Sequence, residues 1–250
     1  MDHGTRRRGG RLDRRRTDGG RPVTDDLPVV EPPFDGDTEQ ESRKSSSSVS
    51  PADTSPIVGV VLAAGTSSRF GDRNKLLVTW RGEPLVRHAV RTLCESDVDS
   101  VVVVTGHEHE RVTAAVADLD VTVVHNEGYE AGQATTVRRG VAAARDRNGA
   151  AVLVALGDMP FVSVESVDRL VAAYRAGIGD ALAASCEGVR GNPVLFDDRH
   201  FDALADVAGD TGGREILLTG DRSVLVETGD DGVLADVDRG EDLNELRERR

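Results

Sequence analysis

Three short apolar runs constrain the fold of this chain more than any other feature of its sequence. They contain almost no polar positions, and they lie at Ile57–Ala63, Ser100–Thr105 and Ala151–Leu156. A strand that is apolar on both sides must be covered on both faces of its sheet, which is typical of a parallel sheet between two helical layers. Because only 3% of the residues are aromatic, Ala, Val and Leu must fill this core.

Segments with a helical spacing of apolar residues alternate with these runs. We predict helices at 84–94, 108–119, 133–145 and 163–175, and further strands at 121–124 and 181–186. The alternation predicts an α/β fold with a doubly wound, mostly parallel sheet and helices on both faces, as in Rossmann-like proteins. Ligands of such sheets bind beyond the carboxyl ends of the strands. The loops that follow the strands are therefore expected to share one rim.

After residue 186 the pattern becomes less regular. We predict short strands at 191–196, 224–227 and 233–237, helical pieces at 198–207 and 213–218, and a charged helix at 240–250. No change of composition marks a linker after residue 57, so these elements are expected to extend the same sheet. The prediction is a single domain over residues 55–250.

Residues 1–54 differ in composition from the rest of the chain. Two arginine triplets lie among glycines, an acidic stretch with prolines follows, and four serines occupy 45–48. Such a segment buries too little apolar surface to offset the entropy cost of ordering, so we expect a disordered tail. The arginines are also compatible with an arm that binds nucleic acid or a partner, although a solvated tail is the simpler interpretation.

The folded part is strongly acidic and poor in lysine. The formal net charge of the chain is -13, and lysine occurs only at Lys44 and Lys75. Carboxylates stay hydrated in a salt-rich cytoplasm, where self-repulsion is screened. We therefore treat a halophilic source as a hypothesis that salt-dependent folding would test. The same charge argues against a protein that binds nucleic acid or an anionic membrane.

Several absences in the sequence favour a cytoplasmic location. No apolar run approaches the roughly 20 residues of a membrane span, and the N-terminal arginines are not followed by the apolar core of a secretory signal. Cys94 and Cys186 are far apart and match no metal-ligand spacing. Two thiols in a reducing compartment are the simplest interpretation.

The loop after the first apolar run is the best candidate for a phosphate site. It carries Gly65, small hydroxylated residues, Arg69, Gly71 and Lys75. The spacing matches neither the Walker P-loop nor the dinucleotide fingerprint. Glycines let backbone amides approach a triphosphate, while an arginine binds phosphate oxygens in a fork and a lysine binds them as a point charge. A turn with solvated cations is the alternative.

Aspartates at two other strand ends are candidate metal ligands. Asp158 follows the third apolar run, and Mg²⁺ takes one or two carboxylates together with phosphate oxygens. Alternation would put Asp236 and Asp238 on one side of the predicted strand at 233–237. Asp238 lies nearer the strand end and is the better second ligand, with Asp236 as the fallback. A helix-capping role is the alternative for Asp158.

Polar side chains near residue 130 are candidates for contacts with a nucleobase or sugar. Asn126, Gln133, Thr135 and Thr136 offer amides and hydroxyls that can read a base edge. A loop followed by a helix cap explains the same residues without a ligand.

Five segments together resemble the MobA-like nucleotidyltransferases. The first holds Leu-Ala-Ala-Gly at 62–65 with Ser67, Arg69, Gly71 and Lys75, and the second is Gly-Asp-Met-Pro at 157–160. The others lie at 191–196, 209–214 and 236–243. The segments at 191–196 and 209–214 are most similar to the molybdenum cofactor cytidylyltransferase (MocA-type) branch. The resemblance runs from residue 57 to the C-terminus and covers nothing before it.

The resemblance implies a Mg²⁺-dependent nucleotidyltransferase. It would move a nucleoside monophosphate from an NTP, with CTP favoured, to the terminal phosphate of a molybdopterin-type cofactor and release pyrophosphate. The implied catalytic residues are Arg69, Lys75 and Asp158, and the metal ligands are Asp158 and Asp238. The implied nucleotide-binding residues are Leu62, Ala63, Ala64, Gly65, Arg69, Lys75, Asn126, Thr136 and Asp158. The implied acceptor-binding residues are Asn192, Asp210 and Arg214.

The sequence departs from the family pattern at two places, and alternatives stay open. Arg239-Gly240 replaces a common Thr-Pro, and Gln133 stands where a methionine is common. Guanylyl or another nucleotidyl transfer to molybdopterin, phospholactate, or a sugar or polyol phosphate is the alternative within enzymes. The alternative from another class is a nucleotide-binding regulator, or a chaperone that delivers the cofactor to a molybdoenzyme partner.

Overall fold

The predicted doubly wound α/β fold is confirmed. A computed structural model describes residues 27–34, 55–67, 70, 73–209 and 213–238. In them, an eight-stranded sheet has the order β1-β10-β8-β9-β7-β2-β5-β6, and β3 and β4 form a separate hairpin. The strands are β1 Val29–Val30, β2 Ile57–Ala63, β3 Thr79–Trp80, β4 Glu83–Pro84, β5 Ser100–Thr105, β6 Thr122–His125, β7 Ala151–Leu156, β8 Ala181–Cys186, β9 Val189–Asp197 and β10 Ser223–Glu227. The α-helices are α1 Leu85–Cys94, α2 His109–Ala115, α3 Gln133–Arg145, α4 Val164–Arg175, α5 Phe201–Ala205 and α6 Arg214–Thr219.

The large sheet is parallel except at β9. This strand runs antiparallel to both of its neighbours, β7 and β8. Helices cover both faces, with α1, α2 and α4 on one side and α3, α5 and α6 on the other. Alternate residues of β2 face the two layers: Val61 packs with the first set of helices, and Val60 with the second. The apolar runs are therefore buried on both faces, as their composition predicts.

Helix α3 lies unusually close to the central strand. A Cβ atom added to Gly140 would lie 2.6 Å from a methyl group of Val60. Any larger residue at 140 would push the helix away from the sheet. Glycine at this position therefore helps to place the N-terminus of α3 at the rim of the sheet.

Three sequence predictions differ from the structure. Helix α2 ends at Ala115 instead of residue 119, and the strand expected at 233–237 is wrong. A 3-10 helix spans Asp231–Leu234, and residues 235–238 are irregular. Residues 27–34, expected in the disordered tail, include strand β1 at the edge of the sheet. The charged helix expected at 240–250 lies outside the described residues.

The 3-10 helix Asp231–Leu234 is fastened to α4 by the carboxylate of Asp230. This carboxylate accepts hydrogen bonds from the Ser163 amide (2.9 Å), the Ser166 hydroxyl (2.8 Å) and the Gly232 amide (2.9 Å). Burial raises the pKa of Asp230, but these hydrogen bonds outweigh burial and hold the pKa below its usual value.

Asp230→Asn is expected to lower the free energy of unfolding by about 1–3 kcal/mol at neutral pH, because asparagine has one acceptor oxygen in place of two and its NH2 group cannot accept the hydrogen bonds made at the other position. A depressed pKa stabilises the folded state above the unfolded carboxyl pKa of about 4, and this contribution is lost as the pH falls through the folded pKa. Urea unfolding at about pH 7 and about pH 3 tests the expectation. The exposed neighbour Asp231, as Asp231→Asn, is the control. An equal loss at both pH values would contradict the ionic role of Asp230.

Among the residues that the structure describes, no helix is long and apolar enough to span a bilayer.

Candidate active site

The loop after β2 opens onto a cavity of about 480 Å³ at the carboxyl ends of β2 and β7. This is the rim where the strand order predicts a ligand, and the volume lies in the range of small-ligand sites. The cavity brings together many of the predicted site residues. Those that line it are Leu62, Ala64, Gly65, Lys75, Gln133, Thr136, Asp158 and Asp238.

The cation and the two carboxylates form one cluster in the cavity wall. The Nζ atom of Lys75 lies 2.6 Å from Asp158 Oδ2 and 2.9 Å from Asp238 Oδ1. The side chains of Lys75 and Asp158 are 16% and 18% exposed, while that of Asp238 is 42% exposed. Lys75 and Asp158 are therefore mostly buried in the cavity wall, and Asp238 is the more exposed member of the cluster.

Local hydrogen bonds hold the backbone of Lys75 in place. Lys75 begins a 3-10 helix, Lys75–Leu77, whose N-terminus is capped by the Asn74 side chain at 3.0 Å from the Leu76 amide. The amide of Lys75 donates to Ser67 Oγ at 3.1 Å. Two polar residues of the glycine-rich loop thus position the lysine, which is the local role that capping side chains have in proteins.

The pKa of Lys75 reflects two opposing effects. Burial lowers it, but the charges and hydrogen bonds of Asp158 and Asp238 raise it by more, so that the pKa lies above its ordinary value. The lysine is therefore a permanent cation at physiological pH. It can bind the phosphate oxygens of a ligand as a point charge.

Asp238 reaches the cluster through tertiary packing. The preceding residue, Val237, is fully buried in a small apolar cluster with Trp80, Leu85 and Phe161. Its amide donates to the carbonyl oxygen of Asp158 at 3.0 Å. This backbone contact puts the carboxylates of residues 158 and 238 side by side, although residues 235–238 form no strand. Asp236 does not line either of the two cavities in this region.

Asn126 lies behind the wall of the cavity. Its side-chain amide donates to the hydroxyls of Thr135 (2.8 Å) and Thr136 (3.1 Å), and its Oδ1 atom accepts from the Gly128 amide (3.1 Å). The residue is 2% exposed. Asn126 therefore orients Thr136, which lines the cavity; direct contact of either residue with a base or sugar stays a prediction.

A second cavity of about 220 Å³ adjoins the first, and the two share Leu62, Gln133 and Leu156 as lining residues. It contains the predicted acceptor residues Asn192 and Arg214. Arg190 also lines this cavity, although it was not predicted from the sequence as a site residue. The available signal was the period of two along β9, because residues 190, 192, 194 and 196 all line this cavity.

Two predicted site residues, Arg69 and Asp210, lie outside the described residues. Ala63 is described, but its side chain is buried in the core under the rim. A contact between Ala63 and a nucleotide would therefore come from its backbone, as expected.

Whether a divalent cation fits this site depends on which side chains could bind it. Within the described part of the chain, no group of three or more His, Cys, Asp and Glu side chains is placed to hold a metal. Asp158 and Asp238 nevertheless converge on one point, since both carboxylates lie within hydrogen-bond distance of the same nitrogen. Two carboxylates suit Mg²⁺ when phosphate oxygens and waters complete the octahedron. The residues therefore fit this ion.

A lysine and two carboxylates beside a cavity of this size, at the ends of parallel strands, are typical of α/β enzymes that bind nucleotides. The chain belongs to the MobA-like NTP transferase family, because the model of the MobA-like NTP transferase domain matches residues 59–224. The resemblance inferred from the motifs is thereby confirmed, and so is the enzyme class, nucleotidyltransferase.

Individual relatives cover about three quarters of the chain. Nicotine blue oxidoreductase of Paenarthrobacter nicotinovorans is 34% identical over 197 residues, which cover 76% of this chain and 96% of that protein. A nucleotidyl transferase of Methanothermobacter thermautotroptrophicus has a similar structure, with a TM-score of 0.67 and 25% identity over 78% of this chain and 97% of the other. The complex of Rv0371C with manganese, from Mycobacterium tuberculosis H37Rv, has a TM-score of 0.64 and 26% identity over 78% and 100% of the two chains.

Proposed function

We propose that this enzyme transfers a nucleoside monophosphate from an NTP, with CTP favoured, to the terminal phosphate of a molybdopterin-type cofactor and releases pyrophosphate. The observation that carries the proposal is the cluster of Lys75, Asp158 and Asp238 in the wall of the larger cavity, next to a second cavity with polar and cationic residues. The choice of CTP and molybdopterin rests on the resemblance of segments 191–196 and 209–214 to the cytidylyltransferase branch.

The reaction needs no protein base. A phosphate monoester has a second pKa of about 6, so its oxygen is ionised at neutral pH. In the proposed step this oxygen attacks the α-phosphorus of the NTP in line. A new P–O bond to the acceptor forms, the bond between the α-phosphorus and the bridging oxygen breaks, and pyrophosphate leaves with the electron pair. Catalysis then depends on position and charge.

The residues of the cluster supply that charge and position. In the proposal, Lys75 turns from the carboxylates to the phosphate oxygens of the NTP, and Asp158 and Asp238 hold Mg²⁺. The bound ion would neutralise charge that develops on the phosphate oxygens. The convergence of the two carboxylates supports this assignment. The manganese complex of the related Rv0371C supports the presence of a divalent cation, without identifying its ligands. Backbone groups of residues 62–65 would frame the nucleotide.

Arg190 and Arg214 are proposed to bind the anionic part of the acceptor, because both line the smaller cavity. Arg190→Gln is expected to raise the KM for the acceptor by about tenfold or more, since a charge-assisted hydrogen bond is worth about 1.5–3 kcal/mol. The KM for the NTP should stay unchanged. Initial rates with each substrate varied in turn measure both constants.

Arg222→Gln is the matched control for Arg190→Gln. Arg222 is an exposed arginine at the opposite end of the sheet, where it binds the carbonyl oxygen of Gly177. Arg190 would be excluded from the acceptor site by an equal rise of both KM values in Arg190→Gln. The same conclusion would follow if Arg222→Gln raised the KM for the acceptor as much.

The proposed function is tested by pyrophosphate release. The purified protein, in high salt with Mg²⁺, is offered CTP, GTP, ATP or UTP, with and without molybdenum cofactor, phospholactate or sugar phosphates. CTP-dependent release only with the cofactor supports the proposal. Release with GTP or with another acceptor assigns one of the alternative transferases, and tight nucleotide binding without any release favours the regulator or delivery chaperone.

A reductase is the second candidate, and one observation favours it. The relative with 34% identity over 96% of its length is named nicotine blue oxidoreductase. The smaller cavity is lined mostly by apolar side chains, which suits a flat ring. In this alternative a reduced nicotinamide nucleotide in the larger cavity passes a hydride to that ring, and water supplies the proton. Oxidation of NADH or NADPH in the presence of nicotine blue, without pyrophosphate release from any NTP, would favour the reductase over the proposed nucleotidyl transfer.

A further inference from the structure

A short segment before the family domain completes one edge of the sheet. The residues of β1 pair in parallel with β10, with Val29 opposite Leu225 and Val30 opposite Val226. The amide of Leu225 donates to the carbonyl oxygen of Pro28 at 2.8 Å. The family model begins at residue 59, so this strand lies before the part of the chain that the family model matches.

Side chains of the segment pack on both faces of the sheet. Val30 and Phe34 pack against the core cluster on the side of α1 and α4, whereas Leu27 packs against the cluster on the side of α3 and α6. Val29 is 46% exposed. The segment thus holds the edge of β10 by backbone hydrogen bonds and by apolar contacts on opposite faces.

Strand β10 would be a hazardous edge without this cover. Its sequence is Ser-Val-Leu-Val-Glu, and Ser223, Val224, Leu225 and Val226 are all at least nine-tenths buried. An apolar strand rich in β-branched residues, with a free row of amides and carbonyls, pairs readily with a strand of another chain. In this structure β8 occupies one side of β10 and β1 the other.

The covering strand is itself a poor template for further pairing. It is two residues long, and Pro28, Pro32 and Pro33 flank it. Proline cannot donate a backbone hydrogen bond, so it is compatible with the edge of a sheet and interrupts the addition of another strand. The edge therefore ends at β1.

We propose that residues 27–34 act as an internal edge strand that occupies the outer side of β10 and prevents two copies of this chain from pairing along it. The partner that the uncovered edge would accept is a second copy of the chain, strand to strand. The proposal does not depend on the reaction that the enzyme catalyses.

The test uses the full chain and a neighbouring pair of substitutions. Val30→Asp puts a charge on the packed side of β1, and Val29→Asp puts the same charge on the exposed side. Hydrogen exchange by mass spectrometry follows peptides from β10 and, as a measure of the intact fold, from β2 and β5. Sedimentation velocity over a wide range of protein concentration follows self-association.

In Val30→Asp we expect exchange at the Leu225 amide to accelerate by about tenfold or more, as expected when an edge opens locally. We also expect concentration-dependent self-association, and reversal of it by an excess of a synthetic peptide that spans residues 27–34. Val29→Asp should behave as the wild type. Phe34→Ser, which removes a different contact of the same segment, should repeat the result if Val30→Asp loses protection in β2.

Two results would overturn the proposal. Wild-type exchange at Leu225 in both Val30→Asp and Phe34→Ser would show that the segment does not protect β10. Faster exchange at Leu225 without any self-association would show that the uncovered edge does not recruit a second copy.

Discussion

Asp158→Asn is expected to lower the kcat of nucleotidyl transfer by about a thousandfold. The substitution removes one of the two converging carboxylates, and loss of a single group that stabilises transition-state charge costs about 10²–10³ in kcat. Asparagine keeps the size of the side chain, so the contact of the residue 158 backbone with Val237 should persist. Single-turnover rates of pyrophosphate release with saturating NTP and acceptor measure the effect.

Nucleotide affinity separates a catalytic role of Asp158 from a general loss of structure. Without added metal, Asp158→Asn should bind NTP at least as well as the wild type, because a negative charge near the phosphates is removed. The matched control is Asp202→Asn, which changes a carboxylate whose side chain is 96% exposed on α5. An Asp158→Asn enzyme with wild-type kcat would exclude this carboxylate from the proposed metal site.

Lys75→Met is expected to weaken NTP binding by about tenfold to a hundredfold and to lower kcat as well. The lysine is the cation of the cluster in the larger cavity, and a hydrogen bond from a charged group is worth about 1.5–3 kcal/mol. The variant also leaves Asp158 and Asp238 close together without their shared cation, so like-charge repulsion should further disfavour an anionic ligand. Isothermal titration with NTP measures the affinity directly.

Two further variants define what Lys75 contributes. Lys75→Arg keeps the charge but changes its geometry, so partial recovery of NTP affinity with little recovery of kcat is expected. Arg145→Met removes a surface cation that pairs with Asp202, and it should leave the NTP affinity and kcat unchanged. NTP affinity in Lys75→Met equal to that of the wild type would assign the lysine to the support of the two aspartates instead of to the ligand.

Much of the fold could be predicted because its signals are local. The continuous apolar runs gave the bounds of β2, β5 and β7 as the structure has them. Burial on both faces of a strand is recorded in its own residues, and so is the apolar face of a helix. The rim of the sheet then follows from the direction of parallel strands, which is why Gly65, Lys75 and Asp158 meet at one cavity.

The parts that were wrong or missed depend on distant contacts. In place of the strand expected at 233–237 the structure has a 3-10 helix and an irregular segment. The reason is that Asp230 and Val237 form hydrogen bonds with polar groups of residues 158–166 instead of with a neighbouring strand. Residues 27–34 have the composition of a tail, yet they pair with β10, a partner almost two hundred positions further along the chain. Local composition carries no record of such a partner.

By itself, the sequence determined the layered α/β architecture, the ligand-binding rim and the resemblance to nucleotidyltransferases, because periodicity and short motifs are properties of neighbouring residues. Only the tertiary structure decided that Lys75 meets Asp238 across 163 positions, that Arg190 faces the second cavity, and that β1 closes the edge of the sheet. The physical reason is that these contacts depend on how buried strands and helices pack, and that packing places side chains which no local pattern connects.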